Sequence, residues 1–170
     1  MKIALIVVIG IVILSACVVI IGLLLPKDHV VSRSASFHAT PDKLFSLIDG
    51  SQAWRPDVVR DETVPDVAGK KLVSETTRNG ETVTYELVDR VPPVSLTRRI
   101  ATQNLPYSGE WAFSLQPRGA TTIVRITERG EVYNPVFRFV SRFLLGQTRT
   151  MDAYLHSLGK AIAQDVEIQD

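Results

Sequence analysis

An α+β domain behind one membrane-spanning helix is the fold class this sequence predicts, with antiparallel strands packed on a long C-terminal helix. Three observations predict it. No charge interrupts the chain from Ile3 to Leu25. From Asp57 to Tyr133 no helical period survives, and turn signals recur at the spacing of a meander. From Leu144 to Ile162 apolar residues return at steps of four and three, one face of an amphipathic helix.

Composition narrows the function classes. The 170 residues carry 19 Lys and Arg against 18 Asp and Glu, a net charge of +1, and the basic residues are scattered. Nucleic acid needs a basic stripe or patch, so no nucleic acid is expected as a partner. The only cysteine, Cys17, lies in the apolar segment, which leaves the rest of the chain without a thiol for a disulfide, a metal thiolate or a nucleophile. No internal repeat appears, and the prolines fall mostly at turns, so Val30 to Asp170 reads as one domain, expected to be monomeric when soluble.

The segment from Ile3 to Leu25 is an apolar run dominated by Ile, Val and Leu, interrupted by Gly10, Ser15, Cys17 and Gly22. As a helix it spans about 35 Å, enough for the hydrocarbon core of a bilayer. A soluble helix of this length would keep a polar edge, and this one has none. A secretory signal peptide is the first alternative, but its apolar region is usually shorter. Leu14-Ser15-Ala16-Cys17 also resembles a lipoprotein lipobox, yet Val18 to Leu25 stays apolar after the cysteine. An uncleaved single-pass anchor is therefore expected over residues 3–25. Lys2 on one side faces Lys27 and Arg33 on the other, which leaves the side of the domain undetermined, with a slight lean to extracytoplasmic.

Pro26-Lys27-Asp28 ends the anchor, and Val30 to His38 reads as a first strand. Thr40-Pro41-Asp42 is a helix start: a hydroxyl cap, proline at the first position and a carboxylate at the positive end. Leu44, Phe45 and Ile48 form that helix's apolar face, Asp49-Gly50 stops it, and Ser51 to Trp54 is expected to add one more turn. Asn79-Gly80 predicts a hairpin between Lys71–Arg78 and Glu81–Val91. In its second strand Val83, Tyr85 and Leu87 alternate with Thr82, Thr84 and Glu86, giving one dry and one wet face. Pro92-Pro93 turns the chain into Val94–Ala101. Ser108–Gln116 places Trp111, Phe113 and Leu115 on one side, and Arg118-Gly119 leads into Thr121–Gly130. Asn134-Pro135 repeats the cap-and-proline start; a first helical piece runs to Leu145, kinks at Gly146, and continues with Leu144, Thr148, Met151, Leu155, Leu158 and Ile162 on one face.

This element order resembles the START-like helix-grip superfamily. Local sequence sharpens the likeness: Phe37-His38-Ala39-Thr40-Pro41-Asp42-Lys43-Leu44-Phe45 is similar to the family's strand-to-helix entry, and Trp54-Arg55-Pro56 to the exit from its second helix. Leu87-Val88-Asp89-Arg90-Val91-Pro92-Pro93, Ser108-Gly109-Glu110-Trp111-Ala112-Phe113 and Asn134-Pro135 are similar to members of polyketide cyclase, dehydratase or lipid-transport type. The resemblance covers Val30 to Ala163. It implies a curved antiparallel sheet wrapped around the C-terminal helix, with an apolar cavity between them; the anchor departs from the usual soluble member.

Little in the sequence looks like catalytic machinery. His29, His38 and His156 form no pair at metal-ligand spacing, and neither a nucleophile elbow nor a phosphate-cradling loop is present. Neither a metal nor a cofactor is implied. Glu86 and Glu110 fall on the wet face. In Arg98-Arg99 one guanidinium must point inward, and Arg98, on the face of Val94, Leu96 and Ile100, is the candidate; snorkelling to the rim is the alternative. The expected cavity lining is Tyr85, Leu87, Leu96, Arg98, Trp111, Phe113, Met151, Tyr154 and Leu155, which would equally serve as plain core. The expectation is a membrane-tethered module binding a lipid or other hydrophobic small molecule; a cyclase or dehydratase using Arg98 and Tyr85, or an assembly module with a filled core, are the alternatives. Val136 to Leu145, apolar around Arg138 and Arg142, is expected to lie on the bilayer as a gate, touching it through Phe139 and Arg142; the alternative is a cap on the sheet formed by Phe137, Phe143 and Leu144.

Overall fold

The computed structural model describes residues 2–67 and 69–170. Helix α1 (Lys2–Leu24) is exposed along its apolar surface except at half-buried Val18 and buried Gly22, and is long and apolar enough to cross a membrane. Strand β1 (Asp28–Phe37) follows, two residues earlier than expected. Helix α2 (Pro41–Asp49) starts as the sequence predicts: the Thr40 hydroxyl accepts from the Lys43 amide, and Leu44, Phe45 and Ile48 are buried. Ser51 to Trp54 is not helical, because the Gln52 side-chain amide takes the carbonyls of Leu47, Ile48 and Gly50 and turns the chain out.

The meander is β2 (Val58–Val67), β3 (Lys70–Thr77), β4 (Thr82–Val91), β5 (Ser95–Ile100), β6 (Tyr107–Arg118) and β7 (Thr121–Val132). Gly80 supplies the positive φ, 84°, that the β3–β4 turn demands. Two elements carry no strong sequence signal: β2, interrupted by Pro65, and the two-residue β8 (Ile168–Gln169) on β1. Among the described residues the sheet has eight antiparallel strands in the order β2-β3-β4-β5-β6-β7-β1-β8. Register slips between Leu87 and Asp89, and at both ends of β2, are the bulges that bend it.

The inner face of this curved sheet carries the core. Ala35 and Phe37 of β1, Leu96 of β5, Phe113 and Leu115 of β6, and Val124 and Ile126 of β7 close on Leu44, Phe45 and Ile48 of α2. The last helix, α4 (Arg149–Ala161), adds Met151, Tyr154, Leu155 and Leu158, spaced three, one and three along one face. The sheet with its C-terminal helix is thus the helix-grip architecture. Burial of each large apolar side chain contributes about 1.5–3 kcal/mol, and their spacing holds α4 across the sheet. Arg33 reinforces the seat, donating to Asp152 at 3.1 Å and to Thr148 at 3.1 Å.

Between sheet and α4 the chain forms α3 (Pro135–Val140), capped by the Asn134 side chain, then a π-helical turn (Ser141–Leu145). Gly146, at φ 77°, ends the turn, so Leu144 belongs to another helical piece than Met151 and is 71% exposed. Its place on the apolar face of the last helix is therefore corrected, since the break at Gly146 resets the helical phase. α3 packs on the end of α1. The Arg138 guanidinium reaches the carbonyls of Gly22 and Leu25, each at 3.0 Å, and that of Tyr133 at 3.1 Å.

Candidate functional site

Strand register places the predicted residues in two rows across the inner face. Leu87, Arg98, Trp111, Glu128 and Val31 are successive cross-strand partners from β4 to β1. Leu96, Phe113 and Ile126 form the next row. Above them α4 lowers Tyr154, whose ring is 5.2 Å from Trp54, 5.6 Å from Trp111 and 5.4 Å from Phe113, in edge-on or tilted contacts. Arg55 lies 5.4 Å over the same ring.

A charged network runs through this aromatic cluster. Glu75 of β3, 3% exposed, accepts from Arg98 at 2.9 Å on one oxygen and from Arg55 at 2.8 Å on the other. Arg98 also donates to the Ile48 carbonyl, while its Nε is buried without a partner. Gln52 is fully buried, and its side-chain carbonyl accepts from the Tyr154 hydroxyl at 3.3 Å. Trp54 donates to the Leu47 carbonyl at 3.0 Å. The carbonyl end of α2, the negative pole of that helix, is therefore held by Arg98, Gln52 and Trp54 together. Glu75 and the helix end are what permit a cation at this depth.

The site's phenols stay protonated. Burial pushes Tyr85 up to about 12, with the Glu75 charge adding to it, and burial raises Tyr154 well above the ordinary tyrosine range. Both are hydrogen-bond donors at neutral pH. Across β6 and β7 the Trp111 indole donates to Glu128 at 2.6 Å, and the other Glu128 oxygen meets the His29 ring at 2.9 Å.

Of the nine residues expected to line a cavity, Leu96, Arg98, Phe113, Met151, Tyr154 and Leu155 are buried, and Tyr85, Leu87 and Trp111 are half-buried. Arg98 does not snorkel: it is 6% exposed and committed to Glu75. Val94 is corrected, because it precedes β5 and is 53% exposed, so it shares no face with Arg98. Glu86 and Glu110 lie on the outer face, paired with Lys70 at 3.0 Å and Arg99 at 3.0 Å. Phe139 is half-buried with its ring 5.0 Å from Phe143, and Arg142 is exposed, donating to Gln147 at 3.2 Å. The basic edge expected of Arg138 and Arg142 is corrected too, since Arg138 is buried against α1. Phe143 and Leu144, at 58% and 71% exposure, do not cap the sheet. Sequence reasoning missed Glu75, Arg55 and Gln52. Glu75 alternates in phase with Val73, so strand parity alone placed it inward.

Two concavities lie away from α4, both at the start of β1. One, about 300 Å³, is lined by Leu25, Lys27, His29, Val31, Arg138 and Arg142 among others. The other, about 170 Å³, lies between His29 and Val30 on one side and Ser108, Gly109 and Arg129 on the other. Among the described residues no group of three His, Cys, Asp or Glu side chains converges as metal ligands would.

Comparison with solved structures finds the same architecture at low sequence identity. Ginseng major latex-like protein 151, from Panax ginseng, superposes with a TM-score of 0.61 at 15% identity, over 80% of this chain and 95% of that one. Norcoclaurine synthase from Thalictrum flavum, in a complex with dopamine and hydroxybenzaldehyde, gives a TM-score of 0.60 at 12% identity, over 80% of this chain and 87% of that one. A protein from Mesorhizobium loti gives 0.60 at 14% identity, over 79% and 97%. No curated protein matches the sequence. The family model for polyketide cyclase / dehydrase and lipid transport matches residues 28–163. That span holds the whole core and every residue of the aromatic and charged rows, and the chain belongs to this polyketide cyclase / dehydrase and lipid transport family.

Proposed function

We propose that the protein is a membrane-tethered binding module, single-pass through α1, whose domain takes a lipid or another hydrophobic small molecule between the sheet and α4. The observation that carries this reading is that Leu87 and Trp111 pack against the buried core yet stay half-exposed, with half-buried Tyr85 beside them on the same face of β4. Behind these three residues lie the buried side chains of Leu96, Phe113, Met151 and Leu155. Tyr85 and Tyr154 are the polar groups able to orient a carbonyl or hydroxyl of a bound ligand, Arg98 being held by Glu75 and the Ile48 carbonyl. Family membership supports the same reading, and so does the likeness to a fold crystallised with two small aromatic molecules. The domain acts as a monomer, with Phe139 and Arg142 on its membrane side.

The test is mass spectrometry of the full chain purified in mild detergent, with tryptophan fluorescence as the second readout. A hydrophobic compound bound at near one per chain, lost in Trp111→Ala and Leu87→Asp, is the expected result. An empty wild-type chain whose fluorescence no apolar probe alters defeats it.

A second reading, an enzyme of cyclase or dehydratase type, draws on Tyr85 and Tyr154 as neutral phenol donors in the same space. Binding is the better-supported function, because Arg98 is already engaged by Glu75 and the Ile48 carbonyl and so is not available to polarise a substrate carbonyl.

A further inference from the structure

We infer that the 300 Å³ cleft at the foot of α1 is a site for the phosphate headgroup of an anionic phospholipid. The inference rests on α1 being a membrane anchor, the reading proposed above. Three observations carry it beyond that reading.

The first is charge. Lys27, Arg138 and Arg142 line the cleft against the carboxylate of Asp28, while the His29 ring in the same lining is already paired with Glu128. Elsewhere the inward arginines Arg33, Arg55 and Arg98 all meet carboxylates. Among the described residues none of Lys27, Arg138 and Arg142 does. An anion is the complement these cations lack.

The second is Arg138 itself. It is 7% exposed, it donates only to neutral carbonyls, and its Nε is buried without a partner. By covering the Gly22 and Leu25 carbonyls it also cancels the negative pole of α1, which would otherwise repel a phosphate at this point. A buried guanidinium compensated only by dipoles holds excess positive charge beside the cleft.

The third is depth and surroundings. The cleft lies where α1 leaves the hydrocarbon, the level of lipid phosphates. Val30 of the lining is 66% exposed, and Leu24, Phe143 and Leu144, within two residues of the lining residues Leu25 and Arg142, are exposed at 82%, 58% and 71%. A phosphate held by Lys27 and Arg142 would lay its acyl chains along these residues. Gln147, also in the lining, has its side-chain carbonyl taken by Arg142 and its amide NH2 left to donate to the headgroup. A phosphodiester is the shared chemistry of lipid and free phosphate, and the apolar rim selects the lipid.

The experiment uses the full chain in neutral detergent with equal phosphatidylcholine and phosphatidylglycerol, counting bound lipids by native mass spectrometry. Lys27→Gln with Arg142→Gln alters two exposed side chains outside the core; Lys43→Gln with Lys160→Gln is the control. The wild type is expected to retain phosphatidylglycerol over phosphatidylcholine, and the first pair to lower that preference about tenfold while the control does not. Equal retention of the two lipids, or a preference unchanged in the first pair, overturns the site. Displacement of the lipid by inorganic phosphate overturns the lipid as its source. A carbonate wash of membranes separates this from the anchor. Release of the unaltered chain overturns the tether and the lipid source with it, whereas a retained chain without lipid preference overturns the headgroup site alone.

Discussion

Glu75 shows what one buried carboxylate does when two arginines depend on it. Its two oxygens serve Arg98 and Arg55 separately, so removing its charge leaves buried Arg98 without a carboxylate and Arg55 with Asp57 alone. Glu75→Gln is expected to cost about 3–5 kcal/mol in a denaturant titration, whereas Arg98→Met, which leaves Glu75 with Arg55, should cost clearly less. The reverse order would mean that the aromatic packing around Arg98, and not the ion network, carries the local stability. A second residue-scale effect lies at alkaline pH. Tyr85 is raised by burial from 10.0 to about 12 in the fold, so above pH 10 the unfolded chain loses a proton that the folded one keeps. Its contribution is fully present below pH 10 and is lost as pH rises to about 12. Stability should therefore fall across that window, and Tyr85→Phe should flatten the fall while leaving the midpoint at pH 7 nearly unchanged.

At the scale of elements, the contact between α1 and α3 depends on a missing side chain. A Cβ at Gly22 would fall on the carbonyl of Pro135, so any larger residue pushes the two helices apart. Arg138 then loses its acceptors on α1. Gly22→Val is expected to uncouple α1 without unfolding the domain, read as faster hydrogen exchange at Phe137 and Arg138 with unchanged exchange at Phe113 and Leu155. Unchanged exchange at α3 would show that the helices tolerate separation. The break at Gly146 has the opposite use: it frees α3 and the π-helical turn from the phase of α4, so Phe143 and Leu144 face outward while Met151 faces the sheet.

For the whole molecule, the core contains no residue of α1. Sheet, α2 and α4 close on one another, and α1 packs on α3. A chain beginning at Asp28 is therefore expected to fold with one cooperative thermal transition and the same far-ultraviolet dichroism per residue of domain. A broad, non-cooperative melt would make α1 part of the folding unit. The full chain should stay with membranes after a carbonate wash.

Much of this was legible in the sequence, because local rules govern it. Apolar length marked α1, the caps at Thr40 and Asn134 marked two helix starts, Asn79-Gly80 marked a hairpin, and alternation put Trp111 and Phe113 inward. Each signal lies within a few residues of the structure it specifies. Three features came only from the tertiary structure: Glu75 joining Arg98 to Arg55, the carbonyl end of α2 held by Arg98, Gln52 and Trp54, and Arg138 turned onto α1. Their partners stand 20, 23 and 116 positions apart for the first two ion pairs and the Arg138 contact. A charge's partner is chosen by what the fold brings within hydrogen-bond reach and removes from water, and neither distance nor desolvation is written in the spacing of neighbouring residues.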